Sequence, residues 1–294
     1  MIISASYKTD IPTFYGAWFI NRLRAGYCKM VNPYNFKVYH VDLSPEAVDG
    51  YVFWTKNIWP FMQHLEEVHR RGFPFIVQYS INGYPRALEY SVVDAMRAVE
   101  HIKRLSAEYS PKVAVWRYDT IVFTSLTELD FHRRNFAKLA KALEGATDEV
   151  VISFANIYRK TRRNMDIAAK EFGFTWDDPP DEIKYKLAIE LAEVAKFHNM
   201  QLTMCGQRQF LAPGIGDARC VDAGRLAAVA GKPVDALAKP HRKECGCFQS
   251  KDIGEYHTCP HGCVYCYAVQ NHEKAQQRYK AHDPHGEFLF APKR

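Results

Sequence analysis

Short apolar runs alternate with amphipathic segments over the first two thirds of the chain. Runs with the length and composition of buried strands lie at 2–7, 37–43, 51–54, 74–79, 112–116, 149–153 and 201–204. Between them, apolar residues recur at helical spacing, for instance at Ile102 and Leu105 and at Leu187 and Leu191. Strands that alternate with helices pair in parallel. Six or seven such units predict an α/β fold, a full or partial parallel (β/α) barrel over residues 1–205.

The pattern changes after residue 205. The segment 206–294 is rich in glycine, proline, cysteine and charged residues. Only two short helices are predicted in it, at 224–230 and 267–279. Because so small a segment with few apolar positions cannot build a core of its own, we expect a Cys-rich metal-binding extension packed on the mouth of the barrel.

Composition and charge narrow the class of protein. Apolar residues make up 47% of the 294 residues, but no run approaches the roughly 18 residues of a membrane-spanning helix. The N-terminal residues lack the charged and apolar regions of a secretory signal, so we expect a cytoplasmic protein and no membrane partner. The net charge of +6 is mild. Basic patches at 159–163 and 239–243 could meet nucleic acid, although a solvated surface is the simpler explanation of each.

Three of the eight cysteines fall within eight residues, in the sequence TCPHGCVYCYA at 258–268. Cys259, Cys263 and Cys266 have the spacing C-x₃-C-x₂-C, which suits a soft metal better than a hydrophobic core. Three thiolates leave one iron of a [4Fe–4S] cube without a protein ligand, and a small molecule can bind there. The alternative is a zinc site with His257 or His261 as fourth ligand. Zinc sites more often use separated C-x₂-C pairs, so we favour the cluster.

The other five cysteines form two sets, one isolated residue and a group of four. Cys28 is isolated and is expected to be a buried thiol. Cys205, Cys220, Cys245 and Cys247 lie in the irregular part of the chain and make up a complete set of four ligands. We expect a second metal site there, a second [4Fe–4S] cluster in preference to zinc. The alternative is that some of the four are simply buried.

Polar residues follow one predicted strand after another. In a parallel barrel the carboxyl ends of the strands form the reactive face. The residues expected there are Lys8, Thr9, Asp10, Thr55, Lys56, Asn57, Gln78, Asn82, Arg117, Tyr118, Asp119, Ser153 and Asn156. Lys56 is expected to project over the barrel mouth. Arg117 and Asp119 share a face of an extended segment, so they either pair with each other or Arg117 binds a ligand carboxylate.

Four sequence blocks carry a family resemblance: SASYKTDIP at 4–12, FWTKN at 53–57, WRYD at 116–119 and DIGEYHTC at 252–259. They resemble the bacterial family called domain of unknown function 1848. Its C-terminal cysteines are similar to the N-terminal cluster motif of radical S-adenosylmethionine enzymes. The resemblance implies a cluster and a barrel of the radical S-adenosylmethionine type, but no substrate. In that superfamily the motif usually follows the first strand, whereas here it lies near the C-terminal end, so cofactor-binding positions do not transfer by sequence order.

These observations predict a radical S-adenosylmethionine enzyme with an unknown substrate. Cys259, Cys263 and Cys266 would hold the cluster that cleaves the cofactor to a 5′-deoxyadenosyl radical, with Lys56 as a further catalytic residue. Cofactor or substrate binding is assigned to Lys8, Thr55, Asn57, Gln78, Asn82, Arg117, Asp119, Asn156 and Tyr265. A reductant such as flavodoxin or ferredoxin is implied. The alternatives are a non-catalytic iron–sulfur redox or electron-transfer protein and a zinc-bearing nucleic-acid-binding module.

Overall fold

The computed structural model describes residues 1–32, 35–240 and 244–292. The strands are β1 (Ile2–Ala5), β2 (Tyr27–Val31), β3 (Val38–Asp42), β4 (Gly50–Thr55), β5 (Phe75–Ser80), β6 (Ala114–Ile121), β7 (Phe123–Thr124), β8 (Glu149–Phe154), β9 (Trp176–Asp177), β10 (Gln201–Met204), β11 (Ile215–Asp217) and β12 (Ser250–Asp252). The α-helices are α1 (Ile11–Phe14), α2 (Gly16–Ala25), α3 (Met62–Arg70), α4 (Ala95–Glu108), α5 (Leu129–Leu143), α6 (Arg159–Phe172), α7 (Asp181–Phe197), α8 (Ala223–Ala230) and α9 (His272–Lys280).

Eight strands form one parallel sheet in the order β11-β10-β8-β6-β5-β4-β1-β12. α-Helices connect most successive strands of this sheet, as is usual for parallel pairing. The predicted α/β fold is therefore confirmed. Within the described ranges no hydrogen-bonded ladder joins β11 to β12. These two strands are therefore the edges of the sheet.

The two faces of the sheet bury different partners. Alternate residues such as Phe53 and Trp116 pack against the helices, and the Trp116 ring stacks on Phe136 of α5 with centroids 4.8 Å apart. The other face is apolar as well. It is covered by the segment after residue 205, which contributes Ala218, Cys220, Val221, Ala223, Leu226, Cys245 and Cys247. The C-terminal segment therefore completes the burial of the sheet.

The C-terminal segment also contributes two strands to the sheet. β11 pairs with β10, and β12 pairs with β1 so that Ser4 lies opposite Asp252. Both strands have three residues, which is too short for periodicity to predict them. The expected helix at 267–279 begins later, at His272, where Asn271 accepts a hydrogen bond of 2.8 Å from the backbone of Lys274.

Two other predictions needed correction. The run at 37–43 was expected to be a strand of the parallel series, but β3 pairs antiparallel with β2 in a separate hairpin. Gly26 ends α2 in the left-handed region, with φ of 78°, and turns the chain into that hairpin. The sequence pattern predicts only a polar loop between the strand at 149–153 and the helix that contains Leu187 and Leu191, but this segment contains α6. Its buried side is narrow and includes a threonine, so no apolar stripe signals the helix.

None of the helices in the described residues is long and apolar enough to cross a membrane. Of the two basic patches, 159–163 forms the largely exposed first turns of α6. His241, Arg242 and Lys243 of the other patch lie outside the described residues.

Candidate functional site

A cavity of about 260 Å³ opens at the carboxyl ends of the sheet strands. Residues at the ends of β4, β6 and β8 line it, as expected for a parallel sheet. Seven of the eight cysteines also line it, namely Cys205, Cys220, Cys245, Cys247, Cys259, Cys263 and Cys266. Both cysteine groups recognised in the sequence therefore face the same space.

The loop that carries Cys259, Cys263 and Cys266 is fixed to β1 through Asp252. The Asp252 carboxylate accepts hydrogen bonds of 2.8 Å from Ser4 Oγ and Ser6 Oγ, and one of 3.0 Å from the Gly254 backbone. A Cβ at Gly254 would lie 2.1 Å from Ser6 Oγ, so only glycine allows this approach. Asp252 was not among the predicted site residues, because one carboxylate in a polar stretch gives no signal.

Backbone contacts attach the same loop to residues 88–91. Ser91 N–H donates to the carbonyl of His261 at 2.9 Å, and Val264 N–H donates to the carbonyl of Leu88 at 3.1 Å. Gly262 has φ of 72°, and a Cβ there would lie 2.7 Å from the His272 ring. The loop is therefore held in place by two segments that are distant in the sequence.

The histidines near the three cysteines are already engaged. His261 is buried, with Nε2 2.7 Å from Asp10 Oδ2 and Nδ1 3.3 Å from the carbonyl of Ser91. His257 Nδ1 accepts a hydrogen bond of 3.1 Å from the Gln270 backbone. Among the described residues that line the cavity, His261 is present and His257 is absent. Neither histidine is placed as a fourth ligand to the three thiols.

The three thiols are enclosed, although each residue as a whole keeps some exposed surface. Burial raises the pKa of Cys259, Cys263 and Cys266, and neighbouring cysteines add to the effect at Cys259 and Cys263. Backbone N–H groups point at the sulfurs: Ala268 N–H donates to Cys266 Sγ at 3.3 Å, and the N–H of His261 donates to Cys259. Such donors stabilise thiolates.

Lys56 lies beside Cys263 within a buried network. Its Nζ donates to Glu89 Oε1 at 2.7 Å, and it lies 5.8 Å from the centroid of the Tyr265 ring. Tyr265 Oη donates to the same carboxylate and accepts a bond of 3.0 Å from Asn82 Nδ2. Burial lowers the pKa of Lys56, but the charge of Glu89 and the Cys263 thiol outweigh it, so the pKa is raised overall.

Arg117 makes an internal ion pair, one of the two arrangements expected for it. Its Nε donates to Asp119 Oδ2 at 3.0 Å, and Nη1 donates to Gln78 Oε1 and to Cys220 Sγ, both at 3.0 Å. The guanidinium also lies 5.1 Å from the centroid of the Trp54 ring. These four contacts direct its charge toward protein groups.

The second cysteine group is connected by sulfur contacts. Cys205 Sγ and Cys220 Sγ share a hydrogen bond of 3.5 Å, Cys220 contacts Cys247, and Cys247 contacts Cys245. The bond to Cys205 lowers the pKa of Cys220, but Cys247 and burial raise it to about 11. In the same way Cys220 lowers the pKa of Cys247, while Cys245 and burial raise it to about 11. Cys28 lies apart, buried in the helix-side core.

The chain matches the family model described as Domain of unknown function (DUF1848) over residues 2–268, a range that includes both cysteine groups. The chain belongs to this family. No curated protein matches this DUF1848 chain. Among solved structures, a crystal structure of D-hydantoinase is similar with a TM-score of 0.33 and 11% identity, over 72% of this chain and 43% of that chain. The DUF1848 chain thus spans less than half of that protein, and so distant a likeness carries no conclusion.

The cavity of this DUF1848 protein collects some of the predicted binding residues and not others. Lys8, Thr55, Lys56, Arg117, Asp119, Asn156 and Tyr265 line it. Within the described residues, Asn57, Gln78 and Asn82 do not. Gln78 instead donates to the carbonyl of Cys220 at 2.9 Å, and Asn82 supports the Lys56 network. Lys8 is paired with Asp252 at 3.3 Å, and Asn156 is exposed.

Several site residues of this DUF1848 protein escaped prediction. Glu89 is 3% exposed and is the partner of Lys56, but the pairing joins segments that no local pattern connects. Asp10 was expected at the strand ends, but its partners were not predicted: it accepts from the Lys56 backbone at 2.7 Å and from Thr55 Oγ1 at 3.1 Å, and it contacts His261. The aromatic rings of Tyr7, Trp54, Tyr158 and Tyr267 also line the cavity. Tyr7 and Tyr158 follow β1 and β8 within four residues, whereas Trp54 lies in β4 and Tyr267 in the cysteine loop, so no common local pattern identifies them.

A single metal ion and an iron–sulfur cluster place their thiolate ligands differently. In the described ranges, no three His, Cys, Asp or Glu side chains surround a common point as ligands of one ion. A four-iron cluster takes each thiolate at a different corner and spreads its ligands more widely than one ion does. Three enclosed thiols on one loop, with backbone N–H donors to Cys259 and Cys266, have the ligand chemistry that such a cluster requires.

Proposed function

We propose that this DUF1848 protein is a radical S-adenosylmethionine enzyme, with Cys259, Cys263 and Cys266 as ligands of a [4Fe–4S] cluster. The observation that carries the proposal is the spatial order of the sheet. β12, the strand before the cysteine loop, is an edge strand that pairs in parallel with β1. Counted in space from that edge, the cysteine loop follows the first strand, as it does in the superfamily. The motif is then late in the sequence because the chain is a circular permutation of a partial barrel of the radical S-adenosylmethionine type.

The cavity supports an enzyme over a passive redox protein. When bound, the cluster and S-adenosylmethionine would supply a 5′-deoxyadenosyl radical that abstracts hydrogen from a substrate. Such a reaction needs a ligand site beside the cysteine loop, and a cavity of about 260 Å³, close to the lower end of the range for small-molecule sites, lies there. An electron carrier requires no such space. The walls include Tyr7, Trp54 and Tyr267, whose rings would keep water from the reacting groups.

The protein's own residues have distinct tasks in this proposal. Lys56 places a positive charge beside Cys263 and offsets the negative charge of the thiolates. Glu89 and Tyr265 hold its ammonium in position. Asp10 positions the loop through His261 and the backbone of Lys56. A reductant such as flavodoxin or ferredoxin and a reducing, cytoplasmic compartment complete the proposal.

The test is production of 5′-deoxyadenosine by anaerobically purified protein with dithionite and S-adenosylmethionine. We expect the wild type to be brown and active. Cys259→Ala, Cys263→Ala and Cys266→Ala should each abolish the product while circular dichroism stays unchanged, because all three lie on a loop outside the sheet. Cys28→Ala is the matched control and should keep the activity, since Cys28 lies in the core away from the cavity.

Three outcomes would overturn the proposal. Full activity in any of the three loop variants would show that the replaced cysteine is not a required cluster ligand. A brown wild type that produces no 5′-deoxyadenosine would instead support the electron-transfer alternative, and a colourless protein with zinc would support the nucleic-acid-binding one.

A further inference from the structure

We propose that Cys205, Cys220, Cys245 and Cys247 form a second metal site that holds a single tetrahedral ion, zinc, with a structural role. The proposal is independent of the proposed enzymatic function. It also differs from the second [4Fe–4S] cluster favoured by the sequence, because the sulfur contacts point to one ion.

The four cysteines come from three separate parts of the chain. Cys205 directly follows β10, Cys220 follows β11, and Cys245 and Cys247 precede β12. Cys220, Cys245 and Cys247 are at most 8% exposed. Isolated buried thiols have no reason to meet, whereas convergence of four from distant segments is what a closed tetrathiolate shell requires.

The sulfur spacing separates one ion from a cluster. Cys205 Sγ and Cys220 Sγ are 3.5 Å apart, and the contacts continue from Cys220 to Cys247 and from Cys247 to Cys245. Four thiolates about 2.3 Å from one zinc ion lie about 3.8 Å from each other. A four-iron cube would hold them farther apart. No three of the four sulfurs surround a common point in the described residues, so binding must draw the two ends of the row, Cys205 and Cys245, together.

Neighbouring donor groups can compensate the net negative charge of a divalent ion with four thiolate ligands. Arg117 is 4% exposed, and its Nη1 donates to Cys220 Sγ at 3.0 Å. The Val221 backbone donates to Cys247 Sγ at 3.5 Å. A charged donor and a backbone donor to ligand sulfurs are the outer-shell contacts that orient thiolates and moderate their charge.

A structural role follows from what the site would connect. In its described residues, the segment that covers the second face of the sheet is built from short elements, among them the eight-residue α8 and the three-residue β11 and β12. An ion held by these four residues would join the end of β10 to both parts of that cover. Its binding energy would stabilise a segment whose helices and strands are short.

The experiment counts metals in full-length wild type and in the Cys259→Ala/Cys263→Ala/Cys266→Ala variant, which lacks the proposed cluster ligands. We expect about one zinc per chain in both proteins. Adding Cys220→Ser to the triple variant should remove that zinc, whereas adding Cys28→Ser as the matched control should leave it. If Cys220→Ser does not fold, the triple variant is exchanged with Co²⁺, whose visible spectrum should be that of a tetrahedral tetrathiolate.

Three results would overturn the inference. About four irons in the triple variant would indicate a second cluster. Absence of metal, with four of the thiols free to react under native conditions, would make them ordinary cysteines. A Co²⁺ spectrum without thiolate ligation would place the ion elsewhere. All of these readouts are independent of S-adenosylmethionine cleavage, so failure here and failure of the proposed function are distinguishable.

Discussion

Replacement of Lys56 by methionine tests whether its ion pair with Glu89 is buried in solution. Lys56 and Glu89 side chains are 13% and 4% exposed, with Nζ and Oε1 2.7 Å apart. Methionine would fill the space of the aliphatic stem but leave the Glu89 carboxylate without its cation. Removing one partner of a buried pair costs about 3–5 kcal/mol, because the other charge stays desolvated. For a chain of this size, that loss lowers the melting temperature by roughly 5–8 °C.

A second variant separates loss of the pair from loss of packing. In Lys56→Met/Glu89→Gln the remaining amide is neutral and still bonds Tyr265 and Asn82, so we expect most of the stability to return. Lys103→Met is the control, since its pair with Glu100 has side chains 45% and 65% exposed and should be worth less than about 0.5 kcal/mol. Because the pKa of Lys56 is raised, the lysine stays charged below its unfolded pKa of about 10.4, and the cost should be equal at pH 7 and pH 9.

Chemical denaturation of the four proteins gives the free energies of unfolding directly. The reasoning is refuted if Lys56→Met costs no more than Lys103→Met, because Lys56 would then be a surface lysine. It is equally refuted if the double variant is less stable than Lys56→Met, because the unpaired carboxylate would not be the cause of the loss. Cofactor affinity measured on the double variant then reports whether the ammonium also serves a ligand.

Two further predictions concern stability. His132 is buried, and burial lowers its pKa to about 4. Its contribution to the free energy of unfolding is therefore complete above the unfolded pKa of about 6.5 and falls by about 3 kcal/mol as the pH drops to 4. Urea unfolding at pH 7 and pH 4.5 should show a smaller loss of stability for His132→Gln than for the wild type, and equal losses would contradict this. Asp10→Ala should cost at least about 2 kcal/mol, because Asp10 caps α1 and also bonds Thr55, Lys56 and His261. Asp94→Ala removes only the cap of α4 and should cost about 1 kcal/mol. If Asp10→Ala and Asp94→Ala lose the same free energy of unfolding, the additional hydrogen bonds of Asp10 do not contribute to stability.

The pattern of apolar residues predicted the central strands of the sheet. β4, β5 and β8 are continuous apolar runs because both of their faces are buried. β11 and β12 could not be found in this way. Each has three residues, and each is a strand only because β10 or β1 offers it an unpaired edge. The sequence therefore predicted the centre of the sheet and missed its edges.

The same limit applies to the site. The spacing of Cys259, Cys263 and Cys266 is a local signal and identified the loop at once. The pairing of Lys56 with Glu89 is a tertiary contact, and the contact between Cys205 and Cys220 depends on the course of an irregular segment. Residue type predicted which side chains were candidates, whereas their partners were set by the packing of distant segments.

The pairing of β1 with β12 has a consequence for synthesis of the chain on the ribosome. Ser4 and its partner Asp252 are 248 residues apart. At about 5–20 residues per second, translation needs roughly 12–50 s to pass from one to the other. During that interval β1 has β4 as a neighbour but its other edge is unpaired, and such an edge readily recruits foreign strands. The time for which the nascent protein is exposed to aggregation is therefore set by the elongation rate, and slower translation should lengthen it.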